Sequence, residues 1–249
     1  MAFWILFAIF DAVNFWTMMK DVKVIIFDAD DTLWDNQSYF DKAEDVFTEE
    51  LKEYGTAEEL SAELFKTESA NMPTLGYGAK AVCISMMETA LKVSDNKVPG
   101  ENLSRILSSA KSLLSLPATP LPGVENTLKA LKGSGRYRLV VLTKGDMLDQ
   151  ENKLRRSGLS EYFDRVEVVS NKGKKEYLDL CQSENIKPSE MVMVGNSFKS
   201  DIQPVIEIGG YGIHIPFHTM WQHEVTEEFD HPNIIRLDSF EQLTKIFID

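Results

Sequence analysis

The sequence predicts an α/β protein, an open parallel sheet with an all-helical insertion between its first and second strands. Three observations predict it. Five short apolar runs recur along the chain, helical patterns separate the later four, and about eighty residues of purely helical periodicity follow the first run. The first run, Val22 to Phe27 (VKVIIF), is β-branched and bounded by charge, as a strand buried on both faces should be. The others are Leu139 to Leu142, Val166 to Val169, Met191 to Val194 and Tyr211 to Ile215. Between them apolar residues fall at helical spacing: Leu128 and Leu131, then Tyr177, Leu180 and Cys181, then Ile202, Val205, Ile206 and Ile208. Strands alternating with helices give right-handed crossovers, and such sheets carry their sites at the carboxyl ends of the strands.

The insertion reads differently. Phe40, Ala43, Val46 and Phe47 form one helical stripe. Ala79, Val82, Cys83, Met86, Met87, Ala90 and Leu91 form a second, and Leu103, Ile106, Leu107, Ala110, Leu113 and Leu114 a third. Pro117, Pro120, Pro122 and Gly123 mark the return to the sheet. The expected division is 1–19 as a hydrophobic extension, 20–36 with 118–249 as the α/β core, and 37–117 as a helical cap.

Composition narrows the function. A net charge of -13 argues against nucleic acid or an anionic membrane surface as a partner. Cys83 and Cys181 have no Cys or His at ligand spacing, so zinc and a disulfide framework are disfavoured and a reducing, cytoplasmic setting fits. Met1 to Phe10 are all apolar, but Asp11 and Asn14 interrupt the run short of a membrane span. No basic stretch precedes it and no small-residue cleavage site follows. Met18-Met19-Lys20 stands directly before the first strand, so the leading segment reads as an extension outside the core, with a membrane or partner anchor as the alternative.

The chemistry sits at the strand ends. Asp28-Ala29-Asp30-Asp31-Thr32 follows the first strand without a gap. Of two carboxylates spaced i, i+2 there, one can attack and the other can handle a proton; the bland alternative is an acidic turn. The second strand ends in Thr143, and beyond the third lie Lys172, Lys174 and Lys175, any of which can offset phosphate charge. The fourth ends in Gly195-Asn196-Ser197, with Asp201 five residues after Asn196. Oxygen ligands there, facing Asp28, suit Mg2+.

FDADDTLW, VVLTKGD, Lys172 and VMVGNSFKSD, in that order, resemble the four motifs of the haloacid dehalogenase superfamily from about Val22 onward. TPLPGV resembles the point where the chain returns from that family's cap. The resemblance implies a Rossmann-like parallel sheet core with an inserted helical cap, and a Mg2+-dependent phosphatase acting on a small phosphorylated metabolite. It implies Asp28 as nucleophile, forming an aspartyl-phosphate, and Asp30 as acid and base. Thr143, Lys144 and Lys172 bind phosphate; Asp28, the Asp30 carbonyl, Asn196 and Asp201 hold the metal. Asn196 stands where the family often has Asp, which removes one negative charge. Asp30 disfavours dehalogenation, since a halide leaves without a proton.

Substrate choice falls to the cap, where Met72 to Lys80 offers Tyr77 and Lys80, or is an ordinary turn with Lys80 in solvent. His214, His218 and His223 read as structural or rim residues. Two competing readings remain: a phosphomutase or phosphotransferase using the same aspartyl-phosphate, and a catalytically weak metabolite-binding protein. The oligomeric state is not legible.

Overall fold

The first strand, β1 (Val24–Phe27), is buried along its whole length, as a run of β-branched and aromatic residues with no polar alternation demands. The computed structural model describes residues 19–248, so the apolar leader lies outside the described residues apart from Met19, which is buried. The other expected strands form as β2 (Arg138–Lys144), β3 (Arg165–Val169), β4 (Met191–Gly195) and β5 (Tyr211–His214). A sixth strand, β6 (Ile234–Arg236), pairs with β5 in parallel.

The sheet order is β3-β2-β1-β4-β5-β6. β1 pairs in parallel with both β2 and β4, and Phe27 lies opposite Val141 and Val194. The chain builds outward from β1 to β3, then returns to lay β4 on the other side of β1. The reversal of strand order therefore falls between β1 and β4, where two crossovers diverge and leave a crevice at the carboxyl ends.

Alternate residues of β1 face opposite layers. Val24 and Ile26 pack with Val140, Leu142, Met191 and Met193 against Tyr177, Leu180 and Cys181. On the other face the Phe27 ring meets Phe163 and Phe240, with centroids 5.9 and 5.7 Å away.

Four helices fill the insertion: α1 (Gln37–Glu50), α2 (Ala57–Leu75), α3 (Ala79–Val93) and α4 (Gly100–Ser112). They share a core of Phe47, Leu60, Leu64, Met86, Ala90 and Ile106, among others. Thr56 caps α2 reciprocally with Glu59, at 3.3 and 2.9 Å. Met72–Leu75, part of the expected loop, is the helical end of α2, with Pro73 inside it, and Gly76 stops the helix at φ +71°. Only Gly76 to Gly78 separates it from α3. The rest of the described chain adds α5 (Val124–Ser134), α6 (Met147–Ser157), α7 (Lys174–Glu184), α8 (Gln203–Glu207) and α9 (Leu243–Phe247).

Contacts divide the described residues into two units. One holds 19–34, 120–143 and 158–248; the other holds 35–119 together with 144–157, so α6 groups with the four inserted helices. Among the described residues no helix is long and apolar enough to cross a membrane.

Candidate active site

β1 delivers Asp28 to the crevice. Its N–H donates to the Val194 carbonyl at 2.9 Å, and the residue is 8% exposed. The chain then folds back on itself. Leu33 N–H reaches the Ala29 carbonyl and Asp31 N–H the Trp34 carbonyl, both at 2.8 Å. Asp31 takes the left-handed conformation, φ +64°, which Asp tolerates better than most residues. This return brings the buried Trp34 indole to Asp30, where Nε1–H donates to Oδ1 at 2.8 Å.

β4 delivers the second half. After Gly195 and Asn196 the backbone makes a π-helical turn, Phe198–Ile202, which carries Asp201. Such turns are rare and concentrate at functional sites. Asp201 is 1% exposed and its Oδ2 accepts the Ser197 N–H at 3.0 Å. That carboxylate rests on the bare backbone of Gly195: a Cβ there would lie 2.2 Å from Asp201 Oδ2.

Lys172 and Thr32 join the halves. The buried Lys172 Nζ pairs with Asp28 Oδ1 and, at 2.9 Å, with Asp201 Oδ1. Thr32 Oγ1 lies 3.1 Å from Asp28 Oδ2 and 3.2 Å from Asn196 Oδ1, and accepts the Asn196 N–H at 3.1 Å. Its single proton serves one of those two oxygens at a time. Asp28, Lys172, Asn196 and Asp201 are thus brought together, and Thr32 is the contact that sequence reasoning gave no role. Thr143, 2% exposed, stands two residues beyond Val141 at the same end of the sheet. Lys174 and Lys175 form outward pairs with Glu207 and Asp179.

With both ionised, two buried carboxylates around one ammonium leave a net charge of -1. Burial pushes the Asp28 carboxyl up to about 7; Lys172 opposes the shift, while Asp201 and Asp30 add to it. For Lys172, burial works against the ammonium, but Asp201 and Asp28 outweigh it and hold the group above its ordinary value. The residual charge and all-oxygen donor set of Asp28, Asp201 and Asn196 fit a small hard cation. Among the described residues no three His, Cys, Asp or Glu side chains form a metal cage. Mg2+ asks for none, since it is usually held by one or two carboxylates plus water and substrate phosphate.

The remaining sequence-derived residues lie in the unit of inserted helices. Lys144 Nζ sits 4.7 Å from the centroid of the Tyr77 ring. Lys80 pairs with both oxygens of Asp146 at 3.0 Å. Within their own unit, these groups knit the 76–80 segment to the 144–146 turn.

Comparison with known proteins gives a consistent picture. A family model described as haloacid dehalogenase-like hydrolase matches residues 22–209. A glyceraldehyde 3-phosphate phosphatase of Pyrococcus furiosus is 26% identical over 202 residues, 77% of this chain and 79% of that protein. A pyrimidine 5'-nucleotidase of Escherichia coli is 36% identical over 97 residues, 36% of this chain and 42% of its own. The crystal structure of a haloacid dehalogenase-like family hydrolase from Xanthomonas campestris superposes with a TM-score of 0.78. It is 33% identical and covers 87% of this chain and 86% of its own.

Proposed function

The chain belongs to the haloacid dehalogenase-like hydrolases, and from that premise we propose that it is a Mg2+-dependent phosphatase of small phosphorylated metabolites working through an aspartyl-phosphate on Asp28. The observation that carries this reading is the sharing of Lys172 between the buried carboxylates of Asp28 and Asp201, beside a second acid, Asp30, held by Trp34.

In the first step a carboxylate oxygen of Asp28 attacks phosphorus as the bond to the alkoxide breaks, and Asp30 gives that alkoxide its proton. In the second, water attacks the acyl-phosphate, Asp30 takes its proton, and the bond between phosphorus and Asp28 breaks to release inorganic phosphate. Lys172 and Thr143 neutralise and bind the phosphoryl oxygens, and Lys144 is assigned the same role. Charge stabilisation and positioning dominate such transfers. Asp28, Asp201, Asn196 and the Asp30 carbonyl hold Mg2+, which supplies positive charge to the transferring group. Tyr77 and Lys80 are assigned to substrate selection.

The substrate class is supported by relatives whose names specify small phosphate esters, a triose phosphate and pyrimidine nucleotides. The two free cysteines favour a cytoplasmic setting. A panel of sugar, nucleotide and amino-sugar phosphates, assayed for phosphate release with and without EDTA, tests the proposal. Turnover that needs Mg2+ and vanishes in Asp28→Asn is expected. Turnover that survives either treatment contradicts it, and tight binding of a phosphate ester without turnover points to a binding protein.

A further inference from the structure

A third carboxylate stands outside the cluster that meets phosphate and cation. Glu224 ends the short turn Gln222–Glu224 that follows β5. Its Oε2 accepts the hydroxyl of Ser197 and, at 2.6 Å, the hydroxyl of Ser200. Both serines are 6% exposed and both lie on the segment that carries Asn196 and Asp201. Ser197 Oγ also accepts the Ser200 N–H at 3.0 Å, so its proton goes to Glu224 while a lone pair closes the turn. The Ser200 carbonyl accepts the Tyr177 hydroxyl at 2.9 Å, and Lys199 Nζ reaches the His223 carbonyl at 2.7 Å.

A π-helical turn is a rare backbone form that persists where its surroundings hold it. Here two hydroxyl donors converge on one carboxylate oxygen from a separate loop, and bonds to an ionised acceptor are the stronger kind. The same turn sets the Ser197 N–H on Asp201 Oδ2. Glu224 reaches this turn through the hydroxyls of the two serines.

We propose that Glu224 is a positioning residue of the cation site, anchoring the Ser197–Asp201 turn through Ser197 and Ser200 so that Asp201 and Asn196 present their oxygens together. The inference rests on the Mg2+ reading above and adds a residue to it. Partners outside the ligand shell that orient metal ligands cost roughly 10- to 100-fold in metal affinity or activity when removed.

The test uses the full chain and two independent readouts. Mg2+ binding is measured by titration calorimetry without substrate, and amide hydrogen exchange at residues 197–201 is measured in metal-free protein, with thermal melts to confirm folding. Glu224→Ala is expected to weaken Mg2+ binding by about 10- to 100-fold and to speed exchange at Ser197 and Asp201. Glu224→Gln, whose amide oxygen still accepts both hydroxyls, is expected to recover most of the affinity. Ser200→Ala removes one donor from the other side and should move both readouts in the same direction by less. Folded Glu224→Ala with wild-type exchange at both amides overturns the proposal, as does wild-type Mg2+ affinity in that variant. A wild-type chain that binds no Mg2+ overturns the cation reading instead, and the metal-free exchange then decides whether Glu224 anchors the turn.

Discussion

Replacing Gly195 with alanine tests the site without touching any charged group. A Cβ at that position would stand 2.2 Å from Asp201 Oδ2, 2.4 Å from its Cγ and 2.7 Å from its Cβ. Ordinary van der Waals contact begins at 3.4 Å, so the carboxylate must retreat by about 1.2 Å (3.4 minus 2.2). Asp201 cannot retreat freely, because Ser197 N–H and Lys172 hold its two oxygens. A misplacement of about 1 Å can cost on the order of 100-fold in rate. Loss of a hydrogen bond to a buried group adds about 1–3 kcal/mol of destabilisation. The assay is steady-state phosphate release over a Mg2+ titration, with a thermal melt of the same preparation. We expect kcat/KM to fall by about two orders of magnitude and half-saturating Mg2+ to rise. A folded Gly195→Ala enzyme with wild-type rate and Mg2+ requirement refutes the packing argument for this glycine.

Three further outcomes follow from other parts of the molecule. Asp30→Asn should lower kcat/KM, which reports the first chemical step and not the shared hydrolysis, by about 10²–10⁴-fold for alkyl phosphates but much less for p-nitrophenyl phosphate, because a nitrophenolate departs without a proton; equal losses of kcat/KM on both would remove Asp30 from the acid role. In the helical unit, burial and then the neighbouring Glu44 push the Glu68 carboxyl from 4.5 up to about 7. A raised carboxyl binds protons better folded than unfolded, so its contribution is intact below 4.5 and is lost as pH rises toward 7. Glu68→Gln should therefore gain about 1 kcal/mol over wild type at pH 8 and nothing at pH 4, read from denaturant midpoints, and a gain equal at both values would contradict the assignment. Lys153, whose side chain is 2% exposed, bonds Asn36 Oδ1 at 2.8 Å and lies 3.5 Å from Asp149. Lys153→Ala takes an ammonium from a buried carboxylate and should cost about 3–5 kcal/mol; an unchanged unfolding midpoint in urea would show the pair to be dispensable.

The parts legible in the sequence were those where one physical demand controls a contiguous stretch. A strand buried on both faces must be apolar without alternation, so β1 and β4 stood out, and Asp28 and Asn196 followed from their ends. Lys172 was singled out from Lys174 and Lys175 only by the family resemblance, and the structure shows why that lysine differs: Lys174 and Lys175 pair outward with Glu207 and Asp179. What stayed hidden depends on contacts that no local pattern encodes. β6 has only three residues, too few to show a period. Trp34 meets Asp30 because the loop folds back, and the Asp201 carboxylate needs Gly195 because the π-helical turn lays it there. Asp149, Gln150 and Lys153 of α6 are polar and drew no attention in the sequence, yet all three are buried. Polar groups can be buried when they meet partners, and Lys153 finds one in Asn36, far away in sequence.

The central claim is a covalent bond between phosphorus and Asp28, and trapping it is the direct test. Wild-type protein with Mg2+ and a turned-over phosphate ester should be quenched in acid within milliseconds and mapped by mass spectrometry. The account predicts an acid-stable, base-labile phosphoryl group on the peptide containing Asp28, absent in Asp28→Asn. A phosphoryl group on any other residue, or steady turnover with no phosphoryl group trapped on Asp28, would contradict it.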